Sequence, residues 1–75
     1  MTYRIEQKTP ALNFFTIHNN IRDLELAKDI LKDIIENYNS ESTEKGYVDI
    51  DNLYGNAYDG GDLHEFRIID NLDEE

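Results

Sequence analysis

The sequence predicts an α+β fold: a small antiparallel sheet packed on one amphipathic helix, in the order β-β-α-β-β. Three observations lead there. Segments near both ends alternate apolar and polar residues with period two, the pattern of half-buried strands. A central stretch, residues 21–38, repeats apolar residues at helical spacing. Finally, 75 residues suffice for one small core. Residues 1–69 are therefore expected to form a single domain and residues 70–75 an acidic tail.

At the start of the chain, Tyr3 and Ile5 alternate with Arg4, Glu6 and Lys8, which predicts a first strand. Lys8-Thr9-Pro10-Ala11 then reads as a turn, because proline fixes φ and donates no hydrogen bond. Leu12 to His18, rich in aromatic and β-branched residues, predicts a second strand. The adjacent Phe14 and Phe15 leave open which of the two faces the core.

Asn19 and Asn20 are N-cap candidates for the helix over residues 21–38, and Asp23 lies in its first turn, where a carboxylate complements the dipole. Leu24, Ala27, Ile30, Leu31, Ile34, Ile35 and Tyr38 share a broad face, while Arg22, Glu25, Lys28, Asp29, Lys32, Asp33 and Glu36 share the other. Residues 39–46 have loop composition. A third strand is expected over Tyr47 to Asp51, with Val48 and Ile50 inward and Tyr47, Asp49 and Asp51 outward. Gly55-Asn56 and Asp59-Gly60-Gly61 read as turns. The last strand, Leu63 to Ile69, places His64, Phe66 and Ile68 on one face and Glu65 and Arg67 on the other. The expected core is Tyr3, Ile5, Ile17, Leu24, Ala27, Leu31, Ile34, Ile35, Val48, Ile50, Phe66 and Ile68.

Charge is distributed very unevenly. Residues 1–46 carry eight acids and six bases, whereas residues 47–75 carry nine acids and one base, so nearly all of the net charge of −10 lies in the C-terminal segment. The same segment holds Tyr47, Tyr54 and Tyr58, amphipathic rings of the kind enriched at interfaces. Such a charge disfavours direct contact with nucleic acid, whose binders neutralise phosphates with Lys and Arg, and with anionic membranes. The expected partner is a basic protein surface. With no cysteine, no apolar leader-like stretch and no apolar run of membrane-spanning length, the chain is expected to be cytoplasmic.

No residue set predicts catalysis, and no cofactor or metal is expected. Asp49, Asp51, Asp59 and Asp62 suggest calcium, but a twelve-residue EF-hand loop counted from Asp49 puts Leu53 at a ligand position, Tyr54 where glycine is needed and Gly60 where the bidentate glutamate belongs. His18 and His64 have no cysteine partners for zinc. Ser40, Ser42 and Thr43 sit in a polar loop without a base, and alternation sends His64 and Glu65 to opposite faces. No phosphate-binding glycine motif occurs.

The candidate partner-binding surface is therefore Tyr47, Asp49, Asp51, Tyr54, Tyr58, Asp59, Asp62 and Glu65. Alternate residues on one strand face are spaced roughly 6.6–7 Å apart, close to the spacing of neighbouring phosphates. A secondary acidic face runs along the helix through Glu25, Asp29, Asp33 and Glu36, where Lys28 and Lys32 offer compensating pairs. In size, acidity and lack of cysteine the chain resembles the small phage-encoded inhibitors that imitate nucleic acid, of anti-restriction and anti-CRISPR type. That resemblance implies a DNA mimic that blocks a host defence or DNA-processing protein. The competing expectation is a protein-interaction adaptor, antitoxin-like or an assembly subunit, using an apolar face left over by a single helix and able to form a homodimer.

Overall fold

The computed structural model describes residues 2–71 and has the expected α+β architecture, with one more strand than expected. Strands β1 (Tyr3–Lys8) and β2 (Phe15–Ile21) precede helix α1 (Leu24–Glu41). Strands β3 (Val48–Asp49), β4 (Tyr54–Asp59) and β5 (Asp62–Asp70) follow it. All pairings are antiparallel and the sheet order is β2-β1-β5-β4-β3. The first and last long strands thus meet at its centre. The helix covers one face, packing most heavily on β4 and lightly on β2.

Ile5, Ala27, Leu31, Ile35, Phe66 and Ile68 are buried between the layers, as their periodicity predicts, with Tyr3, Ile17, Leu24, Ile34 and Val48 packed around them. Ile21 and Ala57 join the core unexpectedly. Ile21 pairs with Tyr3 at the end of β2, so it belongs to the strand and the helix begins later. Asp23 is the N-cap, accepting a 2.9 Å hydrogen bond from the Glu25 N–H, in place of Asn19 or Asn20. Asn20 instead takes a left-handed φ of 55°, a conformation asparagine tolerates.

The second strand starts at Phe15 rather than Leu12. Thr9 closes the preceding loop: its N–H donates to the Leu12 carbonyl and its hydroxyl accepts from the Leu12 N–H, each at 3.0 Å. Neither phenylalanine enters the core. Phe14 lies under a guanidinium on the opposite face, and Phe15 is exposed.

The expected strand over residues 47–51 is cut to Val48–Asp49 by a 3₁₀ turn, Ile50–Asn52, which ends on Leu53 with φ 55°. Ile50 is consequently half-buried and outside the core, and Asp51 leaves the strand. Gly55-Asn56 is no turn but part of β4. A Cβ at Gly55 would sit 3.3 Å from Ile35 Cγ1, so glycine lets the helix approach this strand closely. Gly60 and Gly61, with φ of 60° and 88°, form the two-residue β4–β5 connection, the conformation such hairpins demand. Asp70 ends β5 opposite Tyr3 and so belongs to the sheet. Asn71 is held as well, its N–H donating to the Thr2 carbonyl at 2.9 Å, and the remainder of the expected tail, residues 72–75, lies outside the described residues.

Candidate functional site

Cross-strand partners share a face, so the register decides which candidate residues meet. Val48 pairs with Gly55 on the helix side, whereas Asp49 pairs with Tyr54 on the open side. Asn56 pairs with Glu65 and Tyr58 with Leu63 on that open side too. Tyr47 precedes Val48 and is joined to Asn56 by two hydrogen bonds, Asn56 N–H to the Tyr47 carbonyl at 2.9 Å and Tyr47 N–H to Asn56 Oδ1 at 3.1 Å. Its ring lies 6.2 Å from that of Tyr54. Tyr47, Asp49, Tyr54, Tyr58 and Glu65 therefore occupy one sheet face near the β3 edge.

The remaining three candidates lie at the margins. Asp51 is exposed on the 3₁₀ turn, so it does not repeat Asp49 at strand spacing as expected. Asp59 and Asp62 are exposed and face each other across the hairpin connection. Like charges directly opposite oppose the pairing they sit in.

Glu65 is turned inward: it is half-buried and accepts the Tyr54 hydroxyl at 2.7 Å. Burial, and then this carboxylate, push the Tyr54 phenol above its ordinary pKa of 10.0. Tyr54 is thereby a fixed neutral donor that braces the face. Tyr47, 58% exposed, is the ring a partner can reach.

Arg67 was the one base available to compensate the C-terminal acids, but it serves another residue. Its Nε donates to Glu6 Oε1 at 2.7 Å, and Arg4 Nε donates to Glu6 Oε2 at 3.0 Å. The Arg67 guanidinium also lies 3.7 Å over the Phe14 ring centroid. Burial raises the Glu6 pKa, yet the bonds and charges of Arg67 and Arg4 outweigh that and hold it below the usual 4.5. Lys45 is likewise occupied, donating to the Asn39 and Ser42 carbonyls where the helix ends. Among the described residues, Asp49, Asp51, Asp59 and Asp62 make no ion pair with a cation.

The helix row lies on the other side of the molecule. Glu25 pairs with Lys28 at 3.1 Å, but Lys32 forms no ion pair with Asp29 or Glu36, so compensation is thinner than the sequence suggests. Asp29, Asp33 and Glu36 border a shallow depression with Leu26 and Ile30. The helix separates this row from the open sheet face, so one flat partner cannot touch both.

The described residues contain no group of three or more His, Cys, Asp or Glu side chains placed to hold a metal ion. His64 is engaged with Gln7, their Nδ1 and Nε2 being 2.7 Å apart. No helix among the described residues is long and apolar enough to cross a membrane. No protein family, curated protein or solved structure significantly matches the chain.

Proposed function

We propose that this chain is a small, acidic, non-enzymatic binding protein that occupies a basic surface of a partner protein. That surface is of the kind that otherwise holds nucleic acid, and the chain acts as a DNA mimic of anti-CRISPR or anti-restriction type. The observation that carries the reading is the state of the carboxylates around Tyr47. Asp49 and Asp51 lie beside a tyrosine-bearing sheet edge and Asp59 and Asp62 at the β4–β5 hairpin, while the bases that could have neutralised them are bound elsewhere. A surface serving solubility alone would normally interleave both signs. Tyr47 supplies contact area and the carboxylates supply steering and register.

A second reading has its own support. Phe15 and Leu12 are 37% and 59% exposed, giving the β2 side an apolar character that suits a protein-interaction adaptor or homodimer.

Capture from bacterial lysate by the immobilised chain separates the two. The acidic reading predicts that nucleic-acid-binding proteins are retained at low salt and released by high salt or by duplex DNA. Retention that survives both treatments would favour the apolar reading.

A further inference from the structure

Two clefts meet at the C-terminal end of α1, and Asn37 and Tyr38 line both. The first, of about 280 Å³, lies toward β2 and is lined by Ile17, Ile34 and Tyr38 together with Gln7, His18 and Asn37, above the fully buried Phe66. The second, of about 240 Å³, lies toward the β4–β5 hairpin and contains Glu41, Tyr58 and Asp59. Packing explains why they exist. The helix packs most heavily on β4, leaving the β2 side thinly covered. The Tyr38 ring, 5.8 Å from both Phe66 and His64, forms the ridge between the clefts.

We propose that this groove receives a short extended segment of a basic partner protein, with an apolar side chain against Ile17 and Ile34 and a Lys or Arg beside Glu41 and Asp59. The charge of the second cleft selects the occupant. Among the described residues neither Glu41 nor Asp59 has a cation, and the ammonium of Lys45 is bound to helix-terminal carbonyls. Two carboxylates beside the Tyr38 ring complement a cationic side chain, through Coulomb attraction and the ring face. The first cleft holds no carboxylate, and Ile17 and Ile34 offer it apolar surface. A second copy of this chain, at −10, is opposed by long-range repulsion.

The inference rests on the basic-partner reading but adds a site away from Tyr47, and the test keeps the two apart. The isotopically labelled full chain is titrated with three capped hexapeptides, alternating Lys–Leu, Lys–Ser and Glu–Leu, while backbone amide signals are followed. The expected result is that Lys–Leu binds at least about tenfold more tightly than either control. It should shift Ile34, Tyr38, Glu41 and Gly60, and Glu41→Gln with Asp59→Asn should weaken it about tenfold with the rest of the spectrum unchanged. Equal binding of Lys–Leu and Lys–Ser, or shifts confined to residues 47–52, would overturn the groove and leave the acidic reading standing. Concentration-dependent shifts at the groove without peptide would assign it to a second copy and also overturn it. If no basic peptide binds, both fail.

Discussion

Glu6 shows how much of the open face is decided by single side chains. It sits on the sheet surface that no helix covers, yet it is 9% exposed, because Arg4, Arg67 and the Phe14 loop close over it. Nothing in its alternating neighbours marks it as buried, since its partner Arg67 lies 61 residues away in sequence. Glu6→Gln is expected to lower stability by about 1–3 kcal/mol in denaturant titration, through loss of charge-assisted bonds and two cations left facing each other. The pH dependence has a fixed sign. The folded pKa is depressed, so the contribution is full above the unfolded value near 4.5 and is lost as pH falls through the lower folded value. Acid unfolding of the wild type should therefore be steeper below pH 4.5 than that of Glu6→Gln. Gly46 is a second residue-scale constraint. A Cβ there would lie 1.9 Å from the Asn56 carbonyl oxygen, which belongs to a paired strand and cannot step aside. Gly46→Ala should cost about 2 kcal/mol or more and loosen β3, visible as faster amide exchange at Tyr47 and Asn56.

Among the elements, α1 was the most legible and β3–β4 the least. Leu31 and Ile35 lie on a periodic face that survives an error of three residues in the start of the helix, whereas the cap itself depends on where Ile21 finds a strand partner. Asp23→Ala should lower stability by about 1 kcal/mol, while Asn19→Ala should have little effect on the helix end. Leu31→Asp places a charge at a fully buried position and is expected to abolish cooperative melting in a domain this small. A soluble variant with a cooperative melt would show that the helix face is wrongly assigned. In the β3–β4 region, the glycine of Gly55-Asn56 reads as a turn because the sequence does not reveal that Ile35 must approach there. The 3₁₀ turn at Ile50–Asn52 then separates Asp49 from Asp51, and a phosphate-like strand repeat becomes a cluster around Tyr47.

On the scale of the whole molecule, the sheet order places β3 with Asp49 at one edge and the mixed-charge N-terminal strands toward the other, with β5 between them. The net charge was readable from composition, but its exposure was not, because it depends on Arg67 crossing to Glu6 rather than meeting its sequence neighbours. A protein organised this way should bind through charge that is poorly screened at low salt and anchored by one ring. Tyr47→Ala is expected to weaken partner binding about tenfold or more, chiefly by faster dissociation. The decisive measurement is the affinity of the captured partner as a function of salt for the wild type, for Asp49→Lys with Asp51→Lys, and for Glu25→Lys with Asp29→Lys. The wild type should lose affinity steeply as salt rises, the Asp49/Asp51 reversal should fold normally and bind at least about a hundredfold more weakly at low salt, and the helix reversal should bind better than it. Wild-type affinity that does not change with salt, or a folded Asp49/Asp51 reversal that binds normally, would contradict the acidic edge as the working surface.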